Sequence, residues 1–176
     1  GHPRKKGLGI ERNTGALGHG LSVAVGRALG LKMDQKKHQV YALLGDGELS
    51  EGSVWEAAMT ASKYELENLT AIIDRNRLQI TGSTEEVNPI EPLQDKFLSF
   101  GFNVIEVKGN DIASLVEVFQ KPKKEKNKPN LIIANTIKGA GISFMENQVS
   151  WHHKVPSQSE YDLAIHELNE AFENVQ

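Results

Sequence analysis

The sequence predicts an α/β fold, a three-layer arrangement in which helices cover both faces of a parallel β-sheet. Short apolar runs alternate along the chain with stretches whose apolar residues recur at helical spacing. The apolar runs are continuous rather than alternating, which is typical of strands buried on both faces. The length of 176 residues suits one domain with a substantial core, so we expect a single domain over residues 1–176.

Each element is predicted from a local pattern. The apolar runs predict four strands, over Gln39–Leu44, Leu69–Asp74, Phe102–Val107 and Leu131–Asn135. Helical spacing and capping residues predict five helices. The first begins at Leu17, and the next three cover Ser50–Tyr64, Pro92 to about Phe100, and Asp111 to Phe119. The capping box of Ser157 and Glu160 opens the fifth. The polar segment Leu78–Val87 contains Gly82 and predicts a short hairpin or an ordered loop.

Composition narrows the possible function classes. The chain has no cysteine, which excludes disulfides, thiolate nucleophiles and cysteine-ligated zinc. A formal net charge of −3 gives no reason to expect nucleic acid as a partner. No apolar run approaches the length of a membrane span, and no signal peptide pattern is visible. We therefore expect a cytoplasmic protein without a membrane partner.

A candidate metal site follows the first two predicted strands. Gly45-Asp46-Gly47 directly follows the first strand, and Asn76 lies just past the second. Ligands of parallel sheets bind at the carboxyl ends of the strands, so these residues are expected at one edge. A carboxylate, an amide oxygen and a backbone carbonyl near Leu78 suit Mg²⁺ or Ca²⁺ held against a diphosphate. The glycines allow the backbone to approach the phosphates closely.

Other polar residues near this edge are candidates for supporting roles. Three carboxylates flank the site, at Glu48, Glu51 and Glu56, and we expect each to be paired or directed away from a bound diphosphate. Loop histidines beside glycine, proline or tryptophan are further candidates, whereas His38 and His166 lie in surface-like stretches. The candidate histidines are His2, His19, His152 and His153.

These segments together resemble the cofactor-binding half of a transketolase, and most closely the amino-terminal subunit of a split-gene enzyme. They occur in the order of that family along the whole chain. The matching segments are Gly1–Pro3, Asn13–Ser22, Gly45–Gly52, Asp74–Gly82, Ala134–Gly141, Ser143–Asn147 and Trp151-His152. The resemblance implies the thiamine diphosphate-binding fold, with thiamine diphosphate and Mg²⁺ or Ca²⁺ as cofactors.

The resemblance also implies roles for individual residues. The implied metal ligands are Asp46, Asn76 and the carbonyl of Leu78. The implied cofactor-binding residues are Gly15 and Leu17 beside the aminopyrimidine ring, with Gly45, Asp46, Gly47, Glu48, Asn76, Lys138 and His152 around the diphosphate. The implied catalytic residues are His2, near the sugar hydroxyls, and His152, which also reaches the substrate. Glu51 matches a carboxylate at the dimer interface of the family.

The implied reaction moves a two-carbon ketol unit between phosphorylated ketoses and aldoses. In the family, the glutamate that activates the pyrimidine ring lies on a different domain, which here would be a separate chain. We therefore expect the partner to be a pyrimidine-binding domain or carboxyl-terminal subunit, the substrates to be sugar phosphates, and the assembly to be a homo-oligomer or heterotetramer. Without that partner we expect the chain to bind metal and diphosphate but not to turn over.

Two departures from the family pattern stand out. His153 occupies a position where the family often has glycine, so the loop after Trp151 is expected to bend differently. Family members also carry a long stretch before the Gly-His-Pro segment, with further Gly-His segments that bind phosphate and substrate. The sequence begins at Gly1, which gives the expectation of a chain truncated at its amino terminus.

Alternative functions remain open from the sequence. Within the thiamine enzymes, a 1-deoxyxylulose-5-phosphate synthase or a dehydrogenase E1 subunit is the nearest alternative, although Gly1–Pro3 and Trp151-His152 favour a transketolase. A non-catalytic assembly module of the same fold is a second alternative. A plain nucleotide-binding Rossmann domain is disfavoured because no Gly-x-Gly-x-x-Gly follows the first strand.

Overall fold

The computed structural model describes residues 4–6, 9–120 and 126–173. The strands are β1 (Val40–Gly45), β2 (Leu69–Arg75), β3 (Leu78–Gln79), β4 (Gly82–Ser83), β5 (Asn103–Lys108) and β6 (Asn130–Asn135). The helices are α1 (His19–Met33), α2 (Gly52–Lys63), α3 (Thr84–Val87), α4 (Leu93–Ser99), α5 (Ile112–Gln120) and α6 (Gln158–Glu173), with 3₁₀ turns over Gly47–Ser50 and Val149–His152. All four predicted strands and all five predicted helices are present, and the segment after β2 forms the β3–β4 hairpin.

The main sheet has four parallel strands in the order β1-β2-β6-β5. Its register places Gly45 beside Asp74, and Asp74 beside Ala134. The carboxyl ends of β1, β2 and β6 therefore meet at one edge of the sheet, as predicted from the sequence. The segments that follow these three strands carry the candidate metal ligands and Lys138.

Helices cover both faces of this sheet, which confirms the predicted three-layer architecture. The larger core lies between one face and helices α1, α2 and α4. Its fully buried members include Leu21, Val54, Ile73, Phe97 and Leu131. The smaller core lies under α5, where Leu115 and Val118 pack against Val107, Ile132 and Ala134.

The prediction that the first strand is buried on both faces is wrong for β1. Tyr41 is 55% exposed and Leu43 is 73% exposed, whereas Ala42 and Leu44 on the other face are buried. The reason is the strand order, which places β1 at an edge of the sheet while α5 packs over β5 and β6. The ring of Phe119 in α5 reaches across to Tyr41, with ring centroids 5.9 Å apart.

The predicted caps form at the helix ends. Asp111 accepts a hydrogen bond from the amide of Ala113 (3.1 Å) at the start of α5. Ser157 and Glu160 form the capping box of α6, in which the Ser157 amide donates to Glu160 Oε2 (2.8 Å). The apolar side chains of Tyr161, Ile165, Leu168 and Phe172 on α6 are exposed, with Phe172 66% accessible. Within the described ranges, no helix has both the length and the apolar character needed to cross a membrane.

Candidate metal and diphosphate site

Asp46 is the first residue after β1, and its carboxylate is almost completely buried. Its Oδ1 accepts the amide of Gly47 at 2.8 Å. Its Oδ2 accepts Arg75 Nη1 at 2.9 Å and the amide of Arg77 at 2.5 Å. A carboxylate oxygen has two lone pairs, so Oδ1 retains one for a further partner while both on Oδ2 are used.

Asn76 follows β2 and is oriented through its own side-chain contacts. Its Nδ2 donates to Asp74 Oδ1 at 3.4 Å, and its Oδ1 accepts the amide of Leu78 at 3.0 Å. The hydroxyl of Thr136, just after β6, also hydrogen-bonds Asp74 Oδ1. Asp74 at the end of β2 and the amide of Leu78 thus hold the side-chain amide of Asn76, whose oxygen keeps one lone pair that can accept a cation.

The carbonyl of Leu78 is placed by the β3–β4 hairpin. Leu78 pairs with Ser83, and the amide of Thr84 donates to the carbonyl of Arg77 at 3.0 Å. The hydrogen bond from Thr84 to Arg77 makes these two residues a hydrogen-bonded pair. Because hydrogen-bonded and non-hydrogen-bonded pairs alternate in antiparallel strands, the next pair, Leu78–Ser83, is a non-hydrogen-bonded one. The Leu78 carbonyl is therefore directed away from β4 and is free to coordinate.

Gly47 lies where the backbone and the hairpin approach each other most closely. A Cβ atom at this position would lie 2.9 Å from the Cβ of Gln79, a distance that real Cβ atoms do not reach. Any larger residue would push β3 away from the turn after β1, and with it the Leu78 carbonyl. The glycine predicted to approach the diphosphate is thus also required for the geometry of the metal ligands.

The donor set fits a hard divalent cation. One carboxylate oxygen, one amide oxygen and one carbonyl oxygen are the ligand types that Mg²⁺ and Ca²⁺ prefer. In the part of the chain that the structure describes, no group of three His, Cys, Asp or Glu side chains could hold a metal ion. Three protein oxygens leave the remaining positions to diphosphate oxygens and water, which agrees with a metal bound together with a diphosphate.

Glu48 connects the loop before α1 to the turn after β1. Its Oε1 accepts the amide of Gly18 at 2.8 Å, and its Oε2 accepts the amide of Gly45 at 3.3 Å. The hydroxyl of Ser53 also donates to the Gly18 carbonyl at 2.9 Å. As expected for a carboxylate beside a diphosphate site, Glu48 is occupied by protein donors, and it holds the loop that contains Gly15 and Leu17.

Lys138 and His152 are two further candidate residues near this edge of the sheet. Lys138 lies in the loop after β6, where its carbonyl accepts the amide of Asn147 at 2.9 Å. His152 ends a 3₁₀ turn that lies against β3. Partial burial, followed by the positive charges of Lys138 and His153, lowers the pKa of His152 below its ordinary value of 6.5. His152 therefore binds a proton less readily than an ordinary histidine, and it lies close enough to Lys138 to sense its charge.

The other predicted site residues are exposed near this edge of the sheet or lie outside the residues that the structure describes. Gly15 and Leu17 are in the exposed loop before α1, and Leu17 is 51% exposed. Glu51 is exposed at the amino-terminal cap of α2. His2 lies outside the described residues, so its predicted role stays a prediction.

The feature that sequence reasoning missed is a buried arginine. Arg75 is 1% exposed and uses all five of its N–H donors, through Nη1 to Asp46 and Thr84, Nη2 to Glu85 and Glu91, and Nε to Glu91. Burial alone would lower its pKa, but the hydrogen bonds and charges of Glu91 and Asp46 outweigh burial and raise it. An arginine directly after an apolar run was the available signal, because buried charges need partners.

Comparisons with known proteins identify the family of this chain. Residues 1–168 match the family described as transketolase, thiamine diphosphate-binding domain. The chain is 48% identical over all 176 residues to an apulose-4-phosphate transketolase subunit of Phocaeicola vulgatus, and covers 63% of that protein. It is 52% identical over 171 residues, or 97% of the chain, to the subunit of the same name from Actinobacillus succinogenes, and covers 62% of it.

The chain thus spans about three fifths of the length of these curated relatives. Among solved structures, the transketolase of Campylobacter jejuni superposes with a TM-score of 0.79 and 28% sequence identity, over 97% of this chain and 32% of that one. Sequence and structural similarity extend over nearly all of the chain and include every segment that builds the site. The chain therefore belongs to the transketolase family and carries its thiamine diphosphate-binding domain.

Proposed function

We propose that this chain is the metal- and diphosphate-binding half of a transketolase, which transfers a two-carbon ketol unit between phosphorylated ketoses and aldoses. The observation that carries the proposal is the convergence of three oxygen donors at one sheet edge. Asp46 Oδ1, Asn76 Oδ1 and the Leu78 carbonyl each keep a lone pair after their protein contacts. Together they would hold Mg²⁺ or Ca²⁺ against the diphosphate of the cofactor.

The remaining residues would bind and orient the cofactor. Gly47 admits the diphosphate close to the backbone, and Lys138 supplies positive charge from the loop after β6. His152, whose pKa burial and Lys138 lower, would offer a hydrogen bond from its ring to the diphosphate or substrate. Thiamine diphosphate, when bound, supplies the nucleophilic carbon and the electron sink that ketol transfer needs.

The partner and substrates are part of the same proposal. The similar proteins of P. vulgatus and A. succinogenes are each named as one subunit of a transketolase, which supports a second subunit here too. That second chain would provide the pyrimidine-binding domain, with its activating glutamate, in a homo-oligomer or heterotetramer. The same relatives are named for a phosphorylated sugar, which supports sugar phosphates as the substrate class.

A binding measurement tests the metal site directly. We expect Asn76→Ala to weaken thiamine diphosphate binding at fixed Mg²⁺ by about 10-fold or more, as the loss of a metal ligand or its support does. Asn76 is partly exposed and its removal leaves the core intact, so the melting temperature should change little. The matched control is Asn169→Ala on the exposed surface of α6. Unchanged affinity in the Asn76 variant would contradict the metal assignment.

The structure makes Asp46→Ala a poor substitute for this experiment. Removing that carboxylate would leave the buried guanidinium of Arg75 and the amide of Arg77 without their acceptor. Losing one partner of a buried ion pair typically costs about 3–5 kcal/mol, so unfolding would obscure any effect on the cofactor. Asp46→Asn, which keeps the shape and one oxygen, is the better second variant.

An activity measurement tests the half-enzyme proposal. The chain is mixed with thiamine diphosphate, Mg²⁺, xylulose 5-phosphate and ribose 5-phosphate, with and without a pyrimidine-domain subunit. We expect turnover only when the subunit is present, since the activating glutamate is supplied by it. Turnover by the chain alone would refute the proposal that the second subunit supplies the activating glutamate. Activity with 2-oxo acids but not with ketose phosphates would favour another thiamine enzyme.

A further inference from the structure

We propose that Arg75 determines the metal selectivity of this site by restricting Asp46 to one-oxygen coordination, and that it thereby favours Mg²⁺ over Ca²⁺. The inference rests on the proposed role of Asp46 as a metal ligand. It assigns to Arg75 a positioning function, exerted through Asp46 rather than by contact with the metal.

The first step is the occupancy of the two carboxylate oxygens. Oδ2 of Asp46 accepts Arg75 Nη1 at 2.9 Å and the amide of Arg77 at 2.5 Å, which uses both of its lone pairs. Oδ1 accepts the amide of Gly47 at 2.8 Å and keeps one lone pair. A cation can therefore be coordinated by Oδ1 alone while Arg75 is in place.

The second step is that Arg75 is itself immobile. Both it and Asp46 are 1% exposed. Its Nη1 also donates to Thr84 Oγ1 at 2.8 Å, and its Nη2 donates to Glu85 at 2.9 Å and to Glu91 at 2.8 Å. Because a guanidinium is planar, these contacts fix the direction of the donor that reaches Asp46.

Glu91 is in turn held at the start of α4. Its Oε2 accepts the amide of Leu93 at 2.7 Å, and its Oε1 accepts both Nε and Nη2 of Arg75. Burial would raise the pKa of Glu91, but the Leu93 amide and Arg75 lower it below its ordinary value, so the carboxylate stays charged. The guanidinium is therefore clamped from the side opposite Asp46.

The third step is the different coordination of the two cations. Mg²⁺ requires near-octahedral geometry at short distances, which suits single oxygens from separate groups. Ca²⁺ accepts 6–8 oxygens at longer distances and readily uses both oxygens of one carboxylate. A site that offers only one oxygen of Asp46 withholds the extra ligand from Ca²⁺ and leaves the Mg²⁺ geometry complete.

The ratio of the two metal affinities isolates this effect. Removing a positive charge beside the site changes the attraction for any divalent cation, and Mg²⁺ and Ca²⁺ carry the same charge. A loss of fold stability also weakens the binding of both ions together. A change in the number of oxygens that Asp46 can offer instead alters the ratio of the Ca²⁺ and Mg²⁺ dissociation constants.

The experiment uses the protein as its gene encodes it, with saturating thiamine diphosphate. MgCl₂ and CaCl₂ are titrated separately by calorimetry into the wild type, Arg75→Met and Arg75→Lys. Arg75→Lys keeps the buried charge but has three donors rather than five, so it decides the question if Arg75→Met does not fold. The matched control is Arg27→Met, which removes an exposed arginine of α1 that pairs with Glu11.

We expect Arg75→Met to shift the ratio toward Ca²⁺ by about 10-fold, the lower end of the effect of residues that support metal ligands. Arg75→Lys should shift it in the same direction but less, and Arg27→Met should leave it unchanged. Folded Arg75 variants with the wild-type ratio would overturn the inference, even if their melting temperatures fall. Absence of metal-dependent cofactor binding in the wild type would instead overturn the proposed function, so the two failures are distinguishable.

Discussion

Replacing Glu48 by alanine should loosen the loop before α1 without disturbing the sheet. The Glu48 carboxylate is the acceptor for the amides of Gly18 and Gly45, which lie on either side of the candidate cofactor site. Alanine removes both acceptors, whereas Glu48→Gln keeps one uncharged oxygen. The hydrogen bond from Ser53 to the Gly18 carbonyl would remain at the end of the loop that contains Gly15 and Leu17.

The size of the effect follows from the two contacts. A hydrogen bond to a charged group contributes about 1.5–3 kcal/mol. Glu48 is partly exposed and its contact with the Gly45 amide is long, at 3.3 Å, so the contact with Gly18, at 2.8 Å, dominates. We take about 1.5 kcal/mol for local opening of the loop, which corresponds to roughly a tenfold change in the opening equilibrium.

Hydrogen exchange measured by NMR reports this opening at the Gly18 amide. We expect exchange about tenfold faster in Glu48→Ala, an intermediate rate in Glu48→Gln, and the wild-type rate in the control Glu56→Ala on the exposed side of α2. Amides in the middle of β2 should keep their protection in all variants. An unchanged Gly18 rate in Glu48→Ala would refute the role of this carboxylate in holding the loop.

Two further predictions concern titration. Lys138→Met should raise the pKa of His152 in an NMR titration, because burial and then Lys138 lower that pKa. Since the pKa of His152 in the folded chain lies below 6.5, protonation favours the unfolded chain, and thermal melts should show that stability falls as the pH drops below 6.5. Hydrogen bonds from Lys154 and then Ser157 lower the pKa of Glu160 from 4.5 to about 2. The capping of α6 should therefore persist above pH 4.5 and be lost as the pH falls toward 2. Glu160→Gln should fray the first turn of α6 already at pH 7, which NMR will detect.

The sequence was sufficient to predict the fold and the edge that carries the site. Continuous apolar runs and helical spacing are local patterns, and the four strands and five predicted helices all form close to their expected bounds. The position of Asp46 and Asn76 after neighbouring strands follows from one further rule, that parallel strands end at the same edge. Neither inference needed knowledge of a contact between distant residues.

The supporting contacts could not be predicted in this way. Arg75 reaches acceptors 9 to 29 residues away, and Glu48 reaches an amide 30 residues before it, so both depend on how loops pack. The exposure of Tyr41 and Leu43 has a similar cause. Apolar composition predicts that a strand is buried, but strand order decides which faces are covered.

The buried pair of Asp46 and Arg75 has a consequence for how the ligands would bind. The guanidinium on Oδ2 offsets the charge of the Asp46 carboxylate, so a cation would meet Oδ1 of this carboxylate and two neutral oxygens, from Asn76 and Leu78. These three oxygens would bind a divalent cation weakly by themselves, and most of the charge of the cation would remain for the diphosphate. A diphosphate bound beside Lys138 and His152 would likewise depend on the cation. Because coupling between two ligands is reciprocal, each should strengthen the binding of the other by the same factor, which makes the metal and cofactor a single binding unit.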